Sequence, residues 1–100
     1  MYARVTTAKI QSDKLKEFTI IVKEIIRPHA EKQSGYAGYL LLTDPESNEV
    51  VNIVLWDTKE TLRAGEQSDY YQKQIARAAS TFADAPSMAH FVVEINDKVT

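Results

Sequence analysis

The sequence predicts one domain of the α+β class, with four antiparallel strands and two helical regions packed against the sheet. Its 100 residues suit a single domain over residues 1–100. Segments with strand and helix periodicity follow one another in the order β-α-β-β-α-β. A polar turn joins the second and third strand segments directly, as in an antiparallel hairpin. This order of elements is that of the ferredoxin-like fold.

The first third of the chain contains one strand and one helix. Strand one is predicted from Tyr2 to Ile10, and the polar residues 11–13 after it suit a helix N-cap. From Leu15 onward, apolar residues recur at spacings of three and four, which indicates an amphipathic helix packed on a sheet. Pro28 lacks a backbone N–H, so we expect a kink or break there, with up to one further turn to Gln33.

The segment from Glu49 to Asp57 is the most informative of the predicted strands. It follows strand two, Tyr36 to Thr43, after a turn at residues 44–48. Alternate side chains of a strand point to opposite faces, and both faces of this strand are apolar except for Asn52. Asn52 shares a face with Trp56, the only tryptophan, roughly 13 Å further along at about 3.3 Å per residue. Such a strand is expected to be central in a sheet that is covered on both sides.

The remainder of the chain is predicted to contain two helical segments and a last strand. Asp57 and Glu60 have the spacing of a capping box, which predicts a short helix through Leu62. The pattern breaks near residues 65–68. A second helical segment carries apolar residues at helical spacing, namely Tyr71, Ile75, Ala78, Ala79 and Phe82. Strand four is predicted from Met88 to Ile95.

Both helical regions of this topology cover the same face of the sheet, which leaves the other face open in a monomer. On the open face we expect Val51, Ile53 and Leu55 of strand three, with Tyr39 and Leu41 of strand two. Such a patch is too apolar for a monomer in water. We therefore expect a homodimer joined sheet to sheet, since a standard interface hides roughly 800 Å² per partner.

Composition argues against several other classes of protein. The chain has no cysteine, and so no disulfide framework or cysteine-based metal site. A formal net charge of −2 gives no electrostatic reason to expect nucleic acid, and strand three lacks the basic and aromatic pattern of an RNA-binding sheet. The first residues do not resemble a signal peptide, and no apolar run approaches about 18 residues. We expect a cytoplasmic protein with no membrane partner.

Four segments carry a resemblance to a known family. They are RPHAEKQSGYAGYLLLTD at residues 27–44, strand three with its terminal Trp56-Asp57, KETLRAGEQSDYYQKQIA at 59–76 and AHFVVEI at 89–95. In this order the chain resembles the antibiotic biosynthesis monooxygenase family of dimeric α/β barrels. For a catalytic member the resemblance implies a pocket between sheet and helices of one subunit, where a phenol, quinol or anthrone meets dioxygen without metal or flavin. The superfamily also includes members with no known reaction.

The resemblance also implies roles for individual residues. Asn52 and Trp56 match the asparagine and tryptophan, four residues apart on strand three, of the anthrone-oxidising members. Their amide and indole N–H would donate to substrate oxygens. Leu42 and Leu62 stand where those members carry a histidine and a tyrosine, and we count both leucines as substrate-binding candidates.

The haem-degrading members of the family are a weaker match. They require an asparagine, a tryptophan and an axial histidine, and this chain has Thr6, Gly65 and Ile75 at those positions. A haem without its axial histidine would lack its principal anchor, so no haem or other cofactor is expected. Thr6 is instead a substrate-binding candidate.

Further candidates lie on the helices and the last strand. His29 continues the apolar stripe of the first helix and would be an acid-base group if it faces the pocket, with a surface or capping role as the alternative. His90 faces either the pocket or the dimer contact. Tyr70 and Arg77 lie on one side of the last helix with Gln74, where Arg77 would bind an anionic substrate group or lie at a solvated rim. The two histidines form no recognised metal motif.

Two functions therefore remain open from the sequence. The first is a cofactor-independent monooxygenase acting on a small aromatic ligand, with Asn52 and Trp56 as hydrogen-bond donors and a histidine as base. The second is a non-catalytic homodimer that binds a small ligand or serves as a scaffold.

Overall fold

The computed structural model describes residues 1–97, apart from the side chain of Tyr70. In this part of the chain the strands are β1 (Tyr2–Lys9), β2 (Tyr36–Asp44), β3 (Glu49–Trp56) and β4 (Ser87–Val92). The helices are α1 (Leu15–Ile21), α2 (Arg27–Ala30), α3 (Lys59–Gln67) and α4 (Asp69–Ala79), with a π-helical turn (Val22–Ile26) between α1 and α2. The α+β class and the ferredoxin-like order of elements are confirmed.

The four strands form one antiparallel sheet in the order β2-β3-β1-β4. β3 is central, as its two apolar faces predict, and β4 is an edge strand. Two boundaries differ from the sequence prediction. β1 ends at Lys9, while Ile10 pairs with Phe82 in an isolated bridge. β4 ends at Val92 rather than at Ile95.

The sheet has an inner face, covered by the helices, and an outer face. Asn52 and Trp56 lie on the inner face, and their partners across β1 are Thr6 and Tyr2. The prediction that Tyr39 and Leu41 lie on the open face is wrong, because both pack against the core under the helices. A β-bulge between Tyr36 and Gly38 explains the error.

The bulge adds one residue to β2 and reverses its alternation. Tyr36 and Tyr39 therefore both point inward, although three positions separate them, and Leu41 follows Tyr39. The outer face receives Leu40 and Leu42 in their place, opposite Ile53 and Val51. The outer face remains apolar, but with different leucines from β2.

Pro28 does not end the first helical region. The backbone stays right-handed helical from α1 through the π-helical turn to α2, and the Arg27 N–H donates to the Val22 carbonyl across the wider turn. In a regular α-helix the ring of Pro28 would clash with the carbonyl of Glu24. A π-helical turn just before the proline relieves this clash, which is why the expected break is a local widening.

α3 begins one residue later than the capping-box spacing predicts. The cap is Thr58 rather than Asp57: the Thr61 N–H donates to Thr58 Oγ1 at 3.1 Å, and the Thr58 N–H donates to Thr61 Oγ1 at 3.3 Å. Asp57 is unavailable as a cap because its N–H donates to the Gly35 carbonyl at 2.8 Å and prolongs the strand pairing. The break predicted at residues 65–68 is present, since Ser68 ends α3 and caps α4.

The buried core forms two clusters under the helices. Phe18 and Val22 of the first helical region pack on Val50, while Leu62 of α3 packs on Val54 and Trp56. Within residues 1–97, no helix has the length and apolar character needed to cross a bilayer.

Candidate functional site

A cavity of about 110 Å³ lies between the inner face of the sheet and the helices. Its walls are largely apolar, with Val22, Ile26, Val50, Val54 and Ile75 among the lining side chains. The polar lining residues include Arg4, Thr6, Asn52, Trp56, Ser68, Tyr71 and Gln74. A largely apolar pocket with a few convergent polar groups is the usual form of a small-molecule site.

Four buried polar atoms at this cavity form no hydrogen bond with any residue that the structure describes. They are Nη1 of Arg4, Nε1 of Trp56, Oδ1 of Asn52 and Oε1 of Gln74. The first two are donors, and the amide oxygens are acceptors, although an amide that rotates by half a turn presents its NH₂ group instead. Leaving a buried polar group without a partner costs about 1 to 3 kcal/mol, so four around one cavity are expensive for folding alone. The arrangement fits a ligand that carries both acceptor and donor oxygens.

Arg4 is the charged group of the cavity. Its side chain projects from β1 on the same face as Thr6 and only 6% of the residue is exposed. The guanidinium carbon lies 5.5 Å from the centroid of the Trp56 ring and 4.7 Å from that of Tyr71. Both distances allow cation–π attraction, which partly offsets the cost of removing the charge from water. The positive charge is thereby held against two aromatic rings in the wall of the cavity.

Glu66 and His90 complete the charged cluster. Oε1 of Glu66 lies 3.5 Å from Nη1 of Arg4 and 2.5 Å from Nε2 of His90. The Glu66 carboxylate therefore partly compensates the charge of Arg4 without a close hydrogen bond to it. The closer partner of Glu66 is the imidazole of His90. His90 is on the edge strand and largely exposed, so the cluster connects the cavity wall to the surface.

Trp56 is held in place by close packing. Its ring meets that of Tyr36 edge to face, with 6.5 Å between centroids. On the helix side, a Cβ built on Gly65 would lie 3.0 Å from Cη2 of the indole. A glycine in α3 thus leaves room for the ring, and Leu62 packs beside it. These contacts fix the direction in which the indole N–H points.

Tyr71 provides a second polar group near the guanidinium. Burial raises the pKa of its hydroxyl above the ordinary value, while Arg4 lowers that pKa and Glu66 raises it. The hydroxyl therefore stays protonated at neutral pH and donates, and it lies 3.4 Å from Sδ of Met88. It is a poor candidate for a general base at pH 7.

The structure brings together three of the residues selected from the sequence, because Asn52, Trp56 and Thr6 line the cavity. Leu62 is buried against Trp56 rather than among the lining residues. Leu42 lies on the outer face and is about half exposed, so the structure does not bring it to the cavity. The bulge in β2 is the reason, because it directs Leu41 inward and Leu42 outward.

Three further candidates, His29, Arg77 and His90, are not among the residues that line the cavity. His29 is part of α2 and is partly buried, but it is not among the lining residues. Arg77 is exposed on α4, and His90 contacts Glu66 rather than the cavity. The side chain of Tyr70 lies outside the part of the chain that the structure describes.

Sequence reasoning missed two polar residues of the site, Arg4 and Gln74. The sequence analysis grouped Gln74 with Arg77 on one side of the last helix. In the structure Gln74 shares the buried face of α4 with Tyr71 and Ala78, which are three residues before it and four after it. Arg4 alternates with Thr6 on one face of β1, which places it inward. Both positions could have been found by following the face of a residue already selected.

The model of the antibiotic biosynthesis monooxygenase family matches residues 1–77 of this chain. No curated protein has a sequence that matches significantly. A structure of SnoaB, a cofactor-independent oxygenase from Streptomyces nogalater, is 12% identical, with a TM-score of 0.81 over 95% of this chain and 94% of that one. A monooxygenase from the ActVA-Orf6 gene of Streptomyces coelicolor, in complex with nanaomycin D, is 11% identical, with a TM-score of 0.80 over 99% and 92%.

A protein of Caulobacter crescentus, described as a candidate antibiotic biosynthesis monooxygenase, is 23% identical, with a TM-score of 0.78 over 93% of this chain and 90% of that one. At identities this low, the structural matches establish the fold and nothing about the substrate. The fold of this chain is thus of the kind found in cofactor-independent monooxygenases.

Proposed function

Because the chain belongs to the antibiotic biosynthesis monooxygenase family, we propose that it oxidises a small hydroxylated aromatic, quinol or anthrone-like substrate with dioxygen, without a bound cofactor. The observation that carries this proposal is the cavity in which Asn52 and Trp56 present buried polar atoms without a protein partner among the described residues. The similarity in fold to SnoaB and to the ActVA-Orf6 monooxygenase supports the reaction class.

The chemistry asks little of the protein. A deprotonated phenol or anthrone reduces dioxygen itself: the ring CH₂ of an anthrone, or the ring CH opposite the oxygen of a phenol, becomes C=O with one oxygen atom, and the other oxygen leaves as water. The protein then has to exclude water, position the ring and stabilise negative charge on oxygen. The apolar walls perform the first task, and the N–H of Trp56 with the amide of Asn52 performs the last.

Dimerisation belongs to the same proposal. The outer face carries Val51, Ile53 and Leu55 of β3 beside exposed Leu40 and Leu42 of β2. Two copies that pack these faces together would cover them and leave one cavity beneath the helices of each subunit. The homodimer also stiffens β3, the strand that carries both proposed donors.

Replacement of Asn52 tests the proposed reaction. Asn52→Ala removes one donor to the developing oxyanion, and oxygen uptake with an anthrone or quinol should fall at least about 10-fold, in line with the loss of one such donor. Asn96→Ala is the matched control, because Asn96 is exposed and is not among the residues that line the cavity. Both variants should keep the circular dichroism spectrum and oligomeric mass of the native protein. Unchanged turnover in the Asn52 variant would remove this residue from the mechanism.

A specific observation favours a second candidate function, a non-catalytic dimer that binds a small aromatic ligand. Among the described residues that line the cavity, the ionisable side chains are Arg4, Tyr39 and Tyr71, and none is a histidine or a carboxylate. Such a site binds well but has no evident general base. This candidate predicts that a panel of hydroxylated aromatics binds to the pure protein without any consumption of oxygen.

A further inference from the structure

The cavity contains a buried cation whose hydrogen-bonding capacity is not used up. Nη1 of Arg4 forms no hydrogen bond with any described residue. Its ion-pair partner, Glu66, lies 3.5 Å away, beyond the distance of about 2.7–2.9 Å at which a charged N–H pairs well with a carboxylate. Oε1 of Glu66 contacts His90 at 2.5 Å instead. A guanidinium that is desolvated in this way favours any anion that reaches it.

The position of the cation also selects the shape of the anion. Arg4 lies over the rings of Trp56 and Tyr71 and lines the cavity, so a ligand that reaches its guanidinium lies beside aromatic rings and apolar walls. A flat ring fills such a space, and its substituent oxygen meets the guanidinium. A carboxylate is usually bound by two parallel N–H groups of a guanidinium, but Nη1 of Arg4 already faces the Glu66 carboxylate at 3.5 Å. One acceptor oxygen is therefore the better fit.

We propose that Arg4 binds the phenolate oxygen of the substrate, so that this site takes hydroxylated aromatics in their anionic form. The proposal rests on the function proposed above and assigns the charge recognition to a residue on β1. On binding, the O–H bond of the phenol breaks, the electron pair stays on oxygen opposite Arg4, and the proton passes to bulk water. No base in the cavity is then required, which accounts for the absence of a histidine or carboxylate among its described lining residues.

Among the described side chains, three other titratable groups face Arg4 from the elements packed around it. They are Glu66 on α3, Tyr71 on α4 and His90 on β4. The Glu66 carboxylate opposes binding of a second anion, so part of the attraction of Arg4 is already compensated. The lowering of the pKa of the bound phenol is therefore expected at the low end of what a nearby opposite charge produces.

A chromophoric phenol measures the ionisation of the bound ligand without any turnover. 4-Nitrophenol is suitable because its anion is yellow and its neutral form is not. Titrated anaerobically with excess protein over a range of pH, the bound phenol should show a pKa about 1 unit below that of the free phenol. Arg4→Met keeps a long apolar side chain in the cavity and should abolish the shift. The matched control is Arg63→Met, which removes the same charge from an exposed position on α3.

The expected set is a lowered phenol pKa in the native protein and in Arg63→Met, none in Arg4→Met, and a partial shift in Arg4→Lys. An equal shift in Arg4→Met, an unshifted or raised pKa in the native protein, or no binding of 4-nitrophenol would each overturn the proposal. So would Arg4-dependent binding of 4-nitrobenzoate that is tighter than that of the phenolate, because it would make this a carboxylate site. Thermal unfolding of each variant confirms that it is folded.

Failure of this experiment is distinguishable from failure of the proposed reaction. Retained Arg4-dependent phenolate binding with no oxygen uptake would refute the monooxygenase and keep the anion site. Oxygen uptake that is lost in Asn52→Ala, with no ionisation of bound 4-nitrophenol, would keep the monooxygenase and refute the role of Arg4.

Discussion

Charge placed on the outer face of the sheet tests the proposed sheet-to-sheet association. Phe91 of β4 is also on this face, because it pairs with Ala3, the partner of Leu55. Leu40, Leu42 and Phe91 are 52%, 51% and 55% exposed in the single subunit. Full burial of such a side chain is worth about 1.5–3 kcal/mol, so roughly half of that remains available at each. Over the six side chains of two subunits, the gross gain from these positions is about 5–9 kcal/mol. Association costs about 4–15 kcal/mol, so these positions supply a large share of what a stable dimer needs, and the other apolar side chains of the outer face must supply the rest.

Leu42→Asp should separate the subunits. By symmetry the substitution removes two leucines from the interface, a loss of about 1.5–3 kcal/mol, and places two carboxylates in apolar surroundings at several kcal/mol each. The dimer should weaken by at least about 4 kcal/mol, or roughly a thousandfold in dissociation constant. Sedimentation velocity should show the mass of one chain, 11.3 kDa, where the native protein shows about twice that mass.

The control for this experiment lies on the opposite side of the molecule. Ile20 of α1 is 45% exposed and faces away from the sheet, so Ile20→Asp changes the same kind of side chain without touching the proposed interface. That variant should remain a dimer. Persistence of the dimer in Leu42→Asp, or a native protein that sediments as 11.3 kDa at every concentration, would refute sheet-to-sheet association.

Two further substitutions test the wall of the cavity and the β2–β3 turn. Gly65→Ala brings a methyl group to 3.0 Å from Cη2 of Trp56. The overpacking costs about 1–3 kcal/mol, and the better helix propensity of alanine returns about 1 kcal/mol. Urea unfolding should therefore show a net loss of stability near 1 kcal/mol, with an altered tryptophan fluorescence spectrum. A stabilised variant with an unchanged spectrum would contradict this. Asp44 accepts the Glu46 N–H at 3.0 Å, and this bond, with that from Ser47, lowers the pKa of its carboxyl. Because the pKa of Asp44 is lower in the folded state than in the unfolded state, its ionised carboxylate stabilises the fold at pH values above the ordinary aspartate pKa. This contribution is lost as pH falls through the folded-state pKa. The difference in stability between the native protein and Asp44→Asn should therefore shrink in acid. A difference independent of pH would exclude this contribution.

The elements of the fold were largely predictable because their signals are local. The two apolar faces of β3 follow from alternation alone, and they place that strand in the centre of the sheet. That Asn52 and Trp56 share one face follows from the same rule, without knowledge of the partner strands. Periodicity of three and four likewise located α1 and α4.

The facing of β2 was not predictable by the same rule, because a bulge depends on pairing with another strand. Tyr36 and Tyr39 look like residues on opposite faces, and strict alternation would keep them so. The extra residue between Tyr36 and Gly38 exists only relative to β3, where Leu55 is the partner of Gly38. Leu42 was assigned to the site, although pairing directs it to the proposed dimer interface.

The place of Arg4 in the site was missed for a different reason, its residue type. An arginine in a strand is ordinarily exposed, so its type argued against the cavity even though alternation with Thr6 argued for it. What permits its burial is distant in sequence: the ring of Trp56 comes from β3, and Glu66 and Tyr71 come from α3 and α4. No window along the chain contains this compensation. The alternation of β1 does show that Arg4 lies on the inner face, where its buried charge requires compensation by other groups. A buried arginine on the inner face of a helix-covered sheet therefore itself predicts a charged site.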